Sequence, residues 1–143
     1  MAIAQYQQCI RQLLSERAER IASQRNEKEY EVQTIFDDER CHYQLLYVGW
    51  RGQKRDFGCV LHLDIKGGKI WIQHDGTEVG IANQLVELGV PRQDIVLAFH
   101  EPEIRQFTDF GRWIAGWADS VKGILRSYAS LQRWPTKGVL QYL

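Results

Sequence analysis

The chain is short of the features that most often announce a function. It has only three cysteines, Cys9, Cys41 and Cys59, and they lie far apart. That spacing offers neither a disulfide framework nor a zinc motif, and small buried thiols are the simpler reading. No apolar run is long enough to cross a bilayer, and no basic segment followed by an apolar stretch opens the chain. The expectation is a cytoplasmic protein with no membrane contact. Neither sign of charge is in excess, with 18 Lys and Arg against 18 Asp and Glu, so the bulk charge points to no polyanionic partner. There is no G-x-x-x-x-G-K-[ST] phosphate loop, no G-x-G-x-x-G between a strand and a helix, and no nucleophile elbow. Internal repeats and low-complexity segments are missing too.

The even charge total conceals a division. Residues 1–110 hold 13 Lys and Arg against 17 Asp and Glu, whereas residues 111–143 hold 5 against 1. A length of 143 residues suggests one domain with a real core. The division of charge marks a body over 1–110 and a basic C-terminal extension over 111–143.

The most informative stretch is 57–78. Two β-rich runs, 57–66 and 69–74, flank Gly67-Gly68, a strong hairpin signal because both central turn residues need positive φ. If Lys66 faces Lys69, then Ile65 opposes Ile70 and Leu63 opposes Ile72 on one aliphatic face. Asp64 then opposes Trp71, and His62 opposes Gln73, on the other face. This places His74 with Leu61 on the aliphatic side. The mixed face, with its acid, imidazole, amide and indole, is the candidate functional surface.

The remaining pattern predicts an α+β fold. Ile3, Tyr6, Ile10, Leu13, Leu14 and Ile21 form one stripe of an N-terminal helix over 3–22. Runs at 30–36 and 42–50 read as two strands that join the hairpin in a four-stranded antiparallel meander. A second helix starts at Asp75 or Thr77, where Asp75 and Glu78 fit a capping box, and stops at Gly89 before Pro91. A short fifth strand follows at 94–99, reached by a crossover expected to be right-handed. Trp113, Ile114, Trp117, Val121, Ile124, Leu125, Tyr128 and Leu131 predict a C-terminal amphipathic helix at about 113–132.

Three kinds of chemistry compete for these residues. His62 and Asp64 share a face about 7 Å apart and could ligate a metal together with a third residue from elsewhere, but they lack H-x-x-x-H or C-x-x-C specificity. A polar sheet face covered by water or a partner is the default reading. Arg51, Lys54 and Arg55 beside Trp50 form a small basic-aromatic turn able to touch phosphates. Tryptophan and arginine are also the usual anchors of protein interfaces. The tail helix, with its tryptophans, reads as a docked terminal helix, an extension or an interface helix.

Several ordered motifs carry a family resemblance. Phe36-Asp37-x-Glu39-Arg40-x-His42-Tyr43-Gln44-Leu45-x-Tyr47-Val48-Gly49-Trp50 resembles the XisI family. So do Gly58-Cys59-Val60-Leu61-His62-x-Asp64-Ile65-Lys66 and Gly68-Lys69-Ile70-Trp71-Ile72-Gln73-x-Asp75-Gly76-Thr77-Glu78. So does Gly89-Val90-Pro91-x-x-Asp94-Ile95-Val96-Leu97-x-Phe99-His100, followed by Arg105-x-Phe107-Thr108. The likeness covers nearly all of 3–110, and the tail over 111–143 lies outside it. XisI proteins are fdxN-element excision controlling factors of cyanobacteria. The resemblance implies a small α+β fold and an accessory role in site-specific excision of a DNA element. It also implies a nuclease-like XisH companion and a separate recombinase. It supplies no catalytic residues.

The expected protein is therefore a non-enzymatic partner-binding module with no cofactor. Its binding residues are Trp50, Arg51, Arg55, His62, Asp64, Trp71 and Gln73, with no metal. One alternative is a metal-dependent enzyme or nuclease subunit using His62 and Asp64. Another is direct DNA binding through Arg51, Lys54 and Arg55 with the basic tail. An edge strand and an aromatic face also allow a homodimer.

Overall fold

The computed structural model describes residues 2–24 and 30–111. Helix α1 (Ile3–Gln24) is followed by strands β1 (Tyr30–Asp37), β2 (His42–Arg51), β3 (Lys54–Lys66) and β4 (Lys69–Asp75). Helix α2 (Ile81–Glu87), a 3-10 turn at Arg92–Asp94, strand β5 (Ile95–Leu97) and the short helix α3 (Pro102–Arg105) complete the described chain. The strands form one sheet in the order β1-β2-β3-β4-β5. The first four run antiparallel, and β5 pairs parallel to β4. The α+β meander with a crossover is thus as the sequence predicts. The expected tail helix lies outside the described residues.

Residues spaced by three and four on α1 bury its stripe, with Tyr6, Ile10, Leu13 and Leu14 all inside. They meet Tyr43, Leu45, Leu61, Leu63, Ile65, Ile70 and Ile72 of the sheet and Ile81, Ala82 and Leu85 of α2 in one core. Both helices therefore cover the same face. The Tyr6 hydroxyl ties α1 to the crossover by donating to Asp94. Burial and that acceptor push its pKa up to about 12.

The hairpin follows its glycines. Gly67 and Gly68 both take positive φ, at 56° and 72°, and the register pairs Lys66 with Lys69, Ile65 with Ile70, Asp64 with Trp71 and Leu63 with Ile72. Beyond that point the prediction fails, because β4 carries one extra residue. His62 pairs with His74, not Gln73, and Leu61 pairs with Asp75. The bulge leaves His74 exposed instead of beneath the sheet with Leu61. A second irregularity sets Leu45 and Leu46 opposite Leu61 and Cys59, so that Val60 and Leu61 are buried in succession.

Helix α2 also begins later than the capping box suggests. Gly80 at φ 83° precedes it, a left-handed conformation that a helix cannot continue through. Asp75 does accept amide protons, from Thr77 N at 2.8 Å and from Ile81 N at 2.8 Å. It pins the loop to the helix start, and Glu78 is not part of that cap. Gly89, at φ 97°, ends the helix as expected, and Val90 N closes the last turn on the Leu85 carbonyl at 3.1 Å.

The chain after β5 folds under the opposite face. Arg105, only 5% exposed, donates from Nε to the Leu97 and His100 carbonyls at 3.2 and 3.0 Å and from Nη2 to Ala98 O at 3.2 Å. Its guanidinium lies 5.6 Å from the centre of the Trp71 ring. Gly111 then returns along β5, donating to Arg92 O and Ile95 O. A Cβ there would sit 2.5 Å from Gln93 O and 2.9 Å from Ile95 O, both backbone atoms. Gly111→Ala is expected to destabilise the fold by about 1–3 kcal/mol, read as a lower denaturant midpoint; an unchanged midpoint would show that this return is not part of the cooperative unit.

Candidate functional site

Alternation along β2 sends His42, Gln44, Leu46, Val48 and Trp50 to the face opposite α1. Their partners there are Asp64, His62, Cys59, Phe57 and Arg55 on β3. Ile35 of β1 lies beside Gln44 on the same face. One surface thus joins a polar corner to an aromatic end.

Asp64 organises the corner. It is 4% exposed and receives ring nitrogens from two strands: His42 Nδ1 at 2.7 Å and His62 Nε2 at 3.1 Å, both at Oδ1. Its other oxygen accepts from Gln73 Nε2 at 3.1 Å and lies 3.8 Å from Lys66 Nζ. Gln44 Nε2 stands 3.4 Å from the outer nitrogen of His62. Burial by itself would raise the Asp64 pKa. The hydrogen bond with His42 and the fields of His62 and Lys66 outweigh it, and the carboxyl sits below the ordinary carboxylate range. The corner opens on a cleft of about 340 Å³ lined by Ile35, Asp37, His42, Gln44, His62 and Asp64.

The aromatic end is built by the β2–β3 hairpin. Trp50 and Phe57 are 49% and 63% exposed. The Arg55 guanidinium lies 5.4 Å from the Trp50 ring centre and 5.8 Å from that of Phe57, and donates to Gly49 O at 3.1 Å. Arg51 is paired with Asp56 at 3.0 Å. Lys54 is exposed.

Of the binding residues read from the sequence, His62, Asp64 and Gln73 come together in the corner, and Trp50 and Arg55 form the aromatic end with Arg51 near by. Trp71 does not belong. It is 1% exposed, with its indole N–H donated to Lys66 O at 3.2 Å. Its face is the expected one, but Arg105 and the chain after β5 lie against that part of the sheet, so it cannot anchor a partner. His42 is the residue that sequence reasoning missed as a site member. Its signal was there, since the predicted meander pairs β2 with β3, yet the pairing register between those strands had to be known.

The residues also fit a known family. The family of the XisI protein matches residues 1–112. The chain belongs to the XisI family. A XisI-like protein from Anabaena variabilis shares 44% identity, with a TM-score of 0.72, over 78% of this chain and 100% of that one. The fdxN element excision controlling factor XisI from the same organism shares 31% identity, with a TM-score of 0.64, over 76% of this chain and 96% of its own. No curated protein matches the sequence.

The paired carboxylate of this XisI-family corner has a clear consequence for stability. Because the folded Asp64 titrates below its value of about 3.9 in an unfolded chain, its contribution is complete above that pH and is lost as pH falls through the folded value. Asp64→Asn is expected to cost about 1–3 kcal/mol at neutral pH, measured by urea unfolding, with the gap to the parent protein narrowing as the solution is acidified. A gap that widens toward acid pH would contradict the assignment.

Proposed function

We propose that this chain is a non-catalytic accessory factor in site-specific excision of a DNA element, and that it acts by docking an XisH-like protein on the open face of its sheet. The name of the 31%-identical relative supports the process, and the chain's membership of the XisI family supports its transfer. The observation that carries the docking reading is the exposed Trp50–Arg55–Phe57 stack. Two aromatic rings held around a guanidinium are costly to leave in water and cost little entropy to immobilise further, which is the make-up of an interface anchor. Ile35, half exposed on the same face, extends the apolar area.

The cations of this end are a weaker case for DNA. Arg51 faces Asp56, and Arg55 is spent on its aromatic neighbours and a carbonyl. A homodimer across the outer edge of β1 would be the competing use of the sheet.

The test is co-purification and titration with an XisH-type protein. Trp50→Ala and Phe57→Ala, both on exposed side chains, are expected to leave the melting temperature unchanged while each weakens the complex by about 30-fold or more, the scale of an interface hot spot. Unchanged affinity in both variants removes this face as the docking surface. DNA binding whose affinity falls steeply with salt, retained in both variants but lost in Lys54→Ala, would favour the direct-DNA reading.

A further inference from the structure

We infer that His42, His62 and Asp64 form a binding site for a transition-metal dication of the zinc class. Each residue offers one ligand atom, and the three atoms lie within 4.8 Å of one another. Two imidazoles and one carboxylate are the donor set that such ions prefer over the harder calcium and magnesium. Ligand atoms about 2.0–2.2 Å from a common ion must sit a little over 3 Å apart. The His42–Asp64 and His62–Asp64 separations, 2.7 and 3.1 Å, fall a little short of that spacing, so the ligands need only part slightly to admit an ion.

The outer groups divide the carboxylate in a way that suits a metal. Gln73 and Lys66 both address Oδ2, which leaves Oδ1 to the two imidazoles and to an ion between them. In the arrangement seen here each imidazole meets Oδ1 through a ring nitrogen. To bind a cation, that nitrogen must present its lone pair, so the ring proton has to sit on the opposite nitrogen. For His62 the opposite nitrogen faces the Gln44 amide at 3.4 Å. With the amide oxygen turned inward, Gln44 accepts that proton and fixes the required tautomer, as outer-sphere partners of metal-bound histidines do. The ring of His42 is half exposed and free to close on an ion. Lys66 is the opposing charge; it lies 3.8 Å away, on the oxygen that the metal does not use.

Three protein ligands leave at least one coordination position open toward the cleft. Water fills it in the isolated protein. The site does not depend on the docking reading, since its ligands come from this chain alone.

Untagged full-length protein titrated with Co²⁺ should take up one equivalent. The visible bands should be those of nitrogen and oxygen ligation without thiolate charge transfer, and Zn²⁺ should bleach them. Zn²⁺ should also raise the melting temperature. His42→Gln and His62→Gln should each remove both responses, while Gln44→Leu should weaken binding by roughly 10–100-fold without abolishing it. His42 also pairs with the buried Asp64, so the Zn²⁺ response of His42→Gln is read as the shift from that variant's own metal-free melting temperature, with its fold checked by circular dichroism. The double variant His74→Gln/His100→Gln, which removes the other two histidines, should bind as the parent does. Absence of saturable uptake would overturn the site, and so would one-equivalent uptake that survives in His42→Gln.

Discussion

The architecture depends on cover being unequal across the two faces of one sheet. Helices α1 and α2 both lie on one side, and the core is the contact between them and the inward residues of all five strands. Among the described residues, the other side receives Arg105 and the chain after β5 over β4 and β5. Trp71 and Val96 are buried there. Over β1, β2 and β3 the same face carries Ile35, Trp50 and Phe57 with about half or more of their surface in water. A sheet face must be either covered or polar to be quiet. Among the described residues this one is neither along the β2–β3 hairpin, and that is the ground for proposing it as a docking surface.

Asp64 stands where the covered and open parts meet. A carboxylate removed from water costs several kcal/mol unless charges and donors replace the lost solvation. Here two imidazoles, an amide and an ammonium converge on it from β2, β3 and β4. The bulge in β4 is part of that solution, because Gln73 is the residue it frees from pairing and Gln73 reaches the inner carboxylate oxygen. The strand irregularity and the polar corner are therefore one feature, with the distortion of the ladder offset by the hydrogen bond it permits.

This explains which parts were legible in the sequence. The Gly67-Gly68 turn determines the register of its four nearest pairs, and the α1 stripe determines which way that helix faces, because both are local rules with fixed periods. The crossover was readable from the strand, helix and strand lengths. The pairing of Gln73 with His62 and the side given to His74 were not placed correctly, because a bulge answers to a partner strand and leaves no mark in alternation. The start of α2 moved because Gly80 takes a left-handed conformation that its neighbours do not announce. Trp71 was assigned to the correct face and the wrong environment, since its cover comes from Arg105, 34 positions further on. His62 and Asp64 were found as a pair, whereas His42 joins them only through the β2–β3 register.

The two ends of the open face are close enough to act on one partner. His42 and Trp50 are eight residues apart on β2, about 26 Å at the usual strand rise. A protein interface of ordinary size, about 800 Å² on each side, is a disc roughly 32 Å across. A partner centred midway along β2 therefore covers both the hairpin aromatics and the His42–His62–Asp64 corner without needing an unusually large footprint. The aromatic end would supply buried area, which is poorly directional. The corner would supply a fixed array of nitrogens and oxygens, and an ion held there with an open position could accept one ligand from across the interface. Affinity and orientation would then be separated along a single strand pair, with the surface around Trp50 determining how tightly a partner is held and the corner around Asp64 determining how it is turned.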